Sequence, residues 1–495
     1  MISDYVQSVL NASPYSLTVT AIAVLLWLIY YATTNRGLPP GPSGVPILGI
    51  YPFLKNDNLH LQLDNYARKY GDIFSFRVAG KLFINLGSVK AVREAHITNS
   101  EYFSGRSTDF NGLTPLFGDG VFFSNGEAWK TLRKFFLNTF KDIGLKSMKY
   151  NMTGPVYDTI DSTIKDLRSL NGEPVDIVET VNNKFMNTAR CTFFGEDGIS
   201  MEQFRKLIEH YIITIEILTG SYTLLYGTIA KYFVMPFSSG CRASVASQKQ
   251  MEDIIFEVIE HHEKTLDENH NRNIIDAYLK ERNERRRKGD HTAKYFTKKA
   301  LAGSLAQFLG DGHQAVVLFV GKLFLTLVQH PEVQEKIYEE LVDVVGTDRN
   351  PSLGDKSNLP YANAFMYELS RTSDLLPFIP SLVCTKETNL RGYRIPKGSI
   401  TLTNLWSAHH DPETFEDPFT FDPSRYLTSS GKPRAELPVT FGIGKRSCIG
   451  ESYTMTLVFL YMITIVKNFH LSFPGEEDYS TSGYTMKLKI IATPR

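Results

Sequence analysis

One decapeptide limits what this chain can fold into more than any other stretch: Phe441-Gly442-Ile443-Gly444-Lys445-Arg446-Ser447-Cys448-Ile449-Gly450. Its glycines let the backbone come close to something flat and large. Its single cysteine stands at a loop-to-helix start, because an apolar helical pattern runs from Thr454 to Val466. A helix dipole and free N–H groups at such a place favour the thiolate. One thiolate with no second Cys or His beside it cannot build a tetrahedral zinc site. It can be the single axial ligand of a haem, where thiolate electron density favours O–O cleavage. The plain alternative is a buried structural cysteine.

The pattern Phe-x-x-Gly-x-Arg-x-Cys-x-Gly resembles the haem-binding loop of the cytochrome P-450 haem-thiolate monooxygenases, matched at Phe441, Gly444, Arg446, Cys448 and Gly450. The resemblance implies the fold of that family, mainly α with small β-sheets (an α+β chain). It implies haem b (iron protoporphyrin IX) as cofactor, with Cys448 as its iron ligand and the other four residues forming its binding loop.

The chain has 495 residues, 42% of them hydrophobic, enough for a large buried core. Length alone suggests more than one domain. No Gly/Ser-rich or Pro-rich linker divides the sequence after residue 50, so residues 50–495 read as one catalytic domain. The formal net charge is zero, so bulk charge points to no polyanion and no nucleic-acid partner. Cys191, Cys241, Cys384 and Cys448 are too few and too scattered for a disulfide framework, which fits a reducing compartment.

Residues 1–36 read as a membrane anchor. Tyr15 to Ala32 is almost wholly apolar, and a helix of that length spans about 27 Å, close to the hydrocarbon thickness. A cleaved signal would want a basic start and a small-residue cleavage site, and a mitochondrial presequence would be rich in arginine; residues 1–35 contain no Lys or Arg. Arg36 after the apolar run places the following chain in the cytosol. A proline-rich segment within residues 37–49, Leu38 to Pro46, then reads as a stiff hinge, and it resembles the segment after the anchor of microsomal family members.

Along the domain, alternating runs at Phe74–Val78 and Leu82–Leu86 read as a small sheet, and short strands return over 385–403. Helical spacing dominates from Asp158 to Lys280, and the charge run Lys280 to Lys288 reads as a solvated loop or helix end. Ala300 to Gln329 is a long, nearly uncharged helix that should be buried. Gly310-Asp311-Gly312 is a break candidate within it, since glycine weakens a helix by roughly 1 kcal/mol each.

Other motifs extend the resemblance. Glu368 and Arg371 share a helical face upstream of the cysteine loop, with Arg425 between, and the family pattern implies a Glu368–Arg371–Arg425 ion network that is structural. Trp129 and Arg133 offer an indole N–H and a guanidinium one turn apart, donors suited to a carboxylate. In the family such residues hold the haem propionates, together with the arginine two before the cysteine, here Arg446. Two departures stand out. Where the family carries an acid–threonine pair that relays protons to bound dioxygen, this chain has Gln314 and Ala315, which cannot do so alike. Asp311 or His313 acting through ordered water is one substitute; capping within the helix break is the other reading of both. The family's further propionate-binding position aligns with Leu382, which donates nothing.

By resemblance alone, Phe117, Phe308, Ala315, Phe378, Ile379 and Tyr484 are candidates to line a pocket for a lipophilic molecule. The implied activity is monooxygenation of such a molecule (steroid, fatty acid or xenobiotic), with electrons from NADPH through a cytochrome reductase and with cytochrome b5 as a further partner. Lys130, Lys134, Lys141 and Lys445 would form the docking patch. The expected setting is the endoplasmic reticulum membrane, with one N-terminal anchor in membrane lipid and a cytosolic domain. The alternative activity is a haem-thiolate isomerase or dehydratase acting on a preoxidised substrate, which has no need of the missing pair.

Overall fold

The computed structural model describes residues 33–495 apart from 56–57, 143–149, 196–197, 217–219, 270, 428–434 and 483–484, with residues 18–19, 21–22 and 25 ahead of them. Most of the expected anchor run and Tyr484 lie outside the described residues.

Helices dominate. In chain order the main ones are α1 (Leu59–Tyr70), α2 (Gly126–Asp142), α3 (Tyr150–Ser169), α4 (Ile177–Phe194), α5 (Met201–Ile215), α6 (Ser239–Lys264), α7 (Ile274–Arg287), α8 (Lys298–Leu309), α9 (Ala315–Gln329), α10 (Pro331–Val345), α11 (Pro360–Thr372) and α12 (Glu451–Asn468). Two of them form the centre. Helices α8 and α9 continue one another through a wide turn, Gly310–Gln314, in which the hydrogen bonds step to i→i+5. That turn is the break expected at Gly310-Asp311-Gly312, taken up without ending the helix. Thr297 caps its start by accepting from the Ala300 N–H, and Pro331 after His330 begins α10. The combined span Lys298–Gln329 is the one helix among the described residues with the length and hydropathy to cross a membrane, and 72% of its most apolar window is buried inside the protein. Its apolarity therefore serves the core: Leu305, Phe324 and Leu327 pack in the same buried cluster as Leu457, Phe459 and Ile463 of α12. The charge run Lys280 to Lys288 is the exposed end of α7, laced by pairs such as Arg285–Glu281 and Lys288–Glu284.

The first sheet has strand order β1 (Ile73–Val78), β2 (Lys81–Leu86), β7 (Ile400–Asn404), β4 (Phe378–Val383). A second sheet joins β3 (Val175–Asp176), β10 (Thr485–Pro494) and β8 (Phe469–Ser472), with β9 (Tyr479–Ser482) also on β10. A two-stranded ribbon, β5 (Thr388–Leu390) with β6 (Tyr393–Ile395), completes the set. Strand β4 matters for the site, because it carries Phe378 and Ile379 directly after α11.

The proline-rich segment lies against this first sheet. Ser75 of β1 donates its N–H to the Pro40 carbonyl and its hydroxyl to the Pro39 carbonyl, at 2.8 and 2.6 Å. Gly49 forms bridges with Val45 and Val78. Further upstream, Arg394 of β6 donates to the carbonyls of Gly37, Arg36 and Thr34, and Arg77 of β1 donates to Asn35 Oδ1, so the segment is fastened from Thr34 onward.

Candidate active site

The loop before α12 is built by its own backbone. The Cys448 N–H donates to the Phe441 carbonyl at 2.9 Å, and the Ser447 N–H to the Gly444 carbonyl at 3.2 Å. Gly444 has φ +78°, and a Cβ there would sit 2.0 Å from the His96 carbonyl oxygen, so only glycine closes this turn. The Gly450 N–H points at the cysteine sulfur, 3.2 Å away.

The thiol does not behave as the helix dipole suggested. Helix α12 begins only at Glu451, and burial pushes the Cys448 thiol up to about 11, with the Gly450 N–H and Arg133 opposing too weakly. Desolvation wins over the dipole here, so at neutral pH the thiolate needs a cation bound to it. The residue nevertheless keeps exposed surface. Both facts hold if the sulfur faces an interior cleft, where open surface borders protein on every side. Cys191, Cys241 and Cys384 are free thiols elsewhere, and among the described residues no group of His, Cys, Asp and Glu could hold a metal as a cluster.

Beside the loop, positive charge is packed together. Arg446 donates to the carbonyls of Ser104 and Ser124 at 2.9 and 2.8 Å, and its guanidinium lies 4.0 Å over the Trp129 ring. Arg133 donates to the Ser447 carbonyl at 2.8 Å. A third guanidinium, Arg106, escaped the sequence reading. It is buried, its backbone N–H donates to Asn125 Oδ1, and its side chain stacks 4.0 Å over Phe122 and donates to the Phe122 carbonyl. Burial lowers all three arginines; the charge of Arg133 takes Arg106 further, to about 10, and the charges of Arg106 and Arg133 take Arg446 to about 9. Such a set stores repulsion that a dianionic ligand relieves. The residues fit the haem: a thiol on one side of the cleft, guanidiniums and the Trp129 indole for its propionates. Leu382 is buried against β7 and adds no donor.

The charged network is fully satisfied. Glu368 and Arg371 have no exposed side-chain surface and meet at 2.7 and 2.8 Å. Arg425 Nε donates to the same Glu368 oxygen at 3.0 Å, and the Asp422 N–H joins it at 2.9 Å. Arg371 also donates to the carbonyls of His409 and Pro418. His409 is a second residue that the sequence reading missed. Its Nε2 accepts the Val439 N–H at 3.0 Å, two residues before Phe441. Burial holds His409 to about 3, so the ring stays neutral and can accept. No motif marks it; only the fold brings it under the loop.

The wide turn Gly310–Gln314 treats its two polar candidates differently. His313 is 1% exposed, sets its ring edge-on to Phe204 of α5, and is pulled down to about 4 by burial. Its ring packs into the core against α5. Asp311 keeps exposed surface, and its charge acts on Cys448, which places both on one cleft. Gln314 is buried and Ala315 partly so. Of the expected pocket residues, Phe117 is buried edge-on to Tyr211, and Ile379 reaches the Cβ direction of Gly442 at 3.3 Å. Phe378 is half-buried. Phe308 is half-buried and stacks among Phe136, Phe140 and Phe193 at the edge of the core. Lys130, Lys134, Lys141 and Lys445 are all exposed.

The family model for cytochrome P450 matches residues 39–494. The chain belongs to the cytochrome P450 family. It is accordingly an oxidoreductase of the monooxygenase class with haem b as cofactor. Among similar P450 proteins are cytochrome P450 2B2 of Rattus norvegicus, 32% identical over 91% of each chain. Another is cytochrome P450 2J1 of Oryctolagus cuniculus, 29% identical over 97% of this chain and 96% of its own. Cytochrome P450 2A6 of Homo sapiens is 29% identical over 92% of each.

Proposed function

We propose that residues 50–495 form a catalytic domain that inserts one atom of dioxygen into a lipophilic small molecule, with electrons from NADPH through a reductase. Residues 1–36 anchor it in the endoplasmic reticulum membrane and residues 37–49 connect the two. The observation that carries this reading is the cysteine loop packed against clustered guanidiniums: Arg133 donates to the Ser447 carbonyl beside Cys448 at 2.8 Å, and Arg446, within the loop, lies over Trp129. Cys448 holds the iron, and the Gly450 N–H tempers the sulfur's charge. Arg106, Trp129, Arg133 and Arg446 hold the propionates. When bound, the haem supplies the oxygen-activating chemistry, and the protein supplies position and exclusion of water. The Glu368–Arg371–Arg425 network positions the loop through His409 and Val439. Phe117, Phe308, Phe378, Ile379 and Ala315 shape the apolar pocket, with Tyr484 proposed beside them from its sequence position alone. Lys130, Lys134, Lys141 and Lys445 attract the acidic face of a reductase, and cytochrome b5 is a further partner.

The carbon-monoxide difference spectrum of the reduced protein tests the ligation; a band at the position of imidazole-ligated haem overturns it. A spectral binding screen of sterols, fatty acids and foreign lipophiles then narrows the substrate. Gln314 and Ala315 favour a second reading, isomerisation or dehydration of a preoxidised substrate. Turnover without reductase and NADPH selects that reading over the first.

A further inference from the structure

Asp311 is placed where the family pattern asks for nothing charged, and the fold grips it. The Tyr211 hydroxyl, from α5, donates to Asp311 Oδ1 at 2.8 Å, and Gln307 Nε2, one turn earlier, donates to Oδ2 at 2.5 Å. The tyrosine is itself fixed. It is 2% exposed, and its ring lies so close to Gly310 that a Cβ there would sit 1.8 Å from a ring carbon. Phe117 meets that ring edge-on, and Phe193 closes on Gly312 from the other side. An aromatic wall thus surrounds one carboxyl group that still presents surface to the cleft. Both fixed partners are donors, so the carboxyl is set up as an acceptor. Each of its oxygens has a lone pair left over, and the carboxyl lies close enough to Cys448 for its charge to act on the sulfur.

We propose that Asp311 anchors the substrate, taking a hydroxyl or ammonium on an otherwise apolar molecule as its third donor. The inference rests on the monooxygenase reading and deepens it, because it names a chemical feature the substrate carries. Burial raises Asp311 while Gln307 and Tyr211 lower it, and a bound donor pulls in the same direction as those two. An apolar wall alone orients a lipophile poorly; one charge-assisted hydrogen bond at a fixed point sets which end approaches the iron.

The test uses the haem-loaded full chain and three probes, n-butylbenzene, 4-phenylbutan-1-ol and 4-phenylbutylammonium, with affinities measured by equilibrium dialysis. Asp311→Ala is expected to weaken the alcohol and the ammonium relative to butylbenzene by about tenfold or more. Asp311→Asn, which keeps the shape, should weaken the ammonium more than the alcohol. Tyr211→Phe should produce a smaller loss for both. Unchanged affinity ratios in Asp311→Ala and Asp311→Asn overturn the proposal. The carbonyl spectrum of each preparation separates the two ideas. A missing thiolate band in the parent protein is failure of the haem reading, and a normal band with unchanged ratios is failure of the Asp311 anchor alone.

Discussion

The two sides of the cleft are built by opposite means. On the cysteine side, backbone geometry and buried charge leave little freedom: Gly444 against the His96 carbonyl, Glu368 between two arginines, His409 under Val439. On the other side, the wide turn Gly310–Gln314 keeps a common helix shape and changes what it carries: Asp311 towards the cleft, His313 towards the core. Parts that hold a cofactor tolerate little change of chemistry, whereas parts that meet substrate can exchange polar groups as long as the backbone turn survives.

The contrast can be broken most sharply at Glu368. Glu368→Gln leaves Arg371 buried beside half a partner, and the expected cost is about 3–5 kcal/mol in urea unfolding. A loss below about 1 kcal/mol would mean that the buried triad does not organise the cysteine side. The next test is acid, on the opposite side. His313 is held at about 4 against an ordinary 6.5, so its neutral form is the folded one. Stability is full above pH 6.5 and falls as pH drops towards 4, because the unfolded chain takes the proton first. That single ring accounts for about 3 kcal/mol of the loss. His313→Phe should flatten the curve of unfolding free energy against pH by that amount, and an unaltered curve would show that the ring reaches solvent.

Arg133→Gln sharpens the reading of the crowded guanidiniums. Removing one charge should speed haem loss to a scavenger about tenfold. The haem-free protein should hold its stability or gain slightly, since Arg106 and Arg446 are relieved of a like neighbour. A parallel loss in both forms would make Arg133 a packing residue. The smallest effect is expected from Ala315→Thr. It restores one hydroxyl to the wide turn, and the share of oxidised NADPH that appears as product should rise. Unchanged coupling would place proton delivery outside this turn.

What the sequence made legible follows the same division. Local patterns were readable because short-range geometry makes them: the glycines and cysteine of 441–450, the helical spacing that sets Trp129 and Arg133 on one face, the glycine-marked break that became the wide turn. Arg106 and His409 were not readable. Each does its work through residues far along the chain, Arg106 beside Arg133 and Arg446, His409 between Arg371 and Val439. The free Cys448 thiol differs from the sequence expectation for a related reason. The dipole of a helix start is visible in a sequence, and the amount of protein wrapped around a sulfur is not. Likewise Asp311 and His313, two residues apart, were equal candidates until the turn sent them to different faces.

The fastening of Pro39 and Pro40 to Ser75 carries a mechanical meaning. A globule moored by a slack cord can roll and show any side to the surface beneath it. Here the cord is riveted at several points, Thr34 to Gly37 on Arg394 and Arg77 and then Pro39 and Pro40 on Ser75, so it is held along a stretch of the body and not at one spot. On the proposed anchoring, those attachments limit which side of the body can turn towards the membrane, and loosening Arg394, Arg77 and Ser75 together would relax that limit more than loosening any one of them.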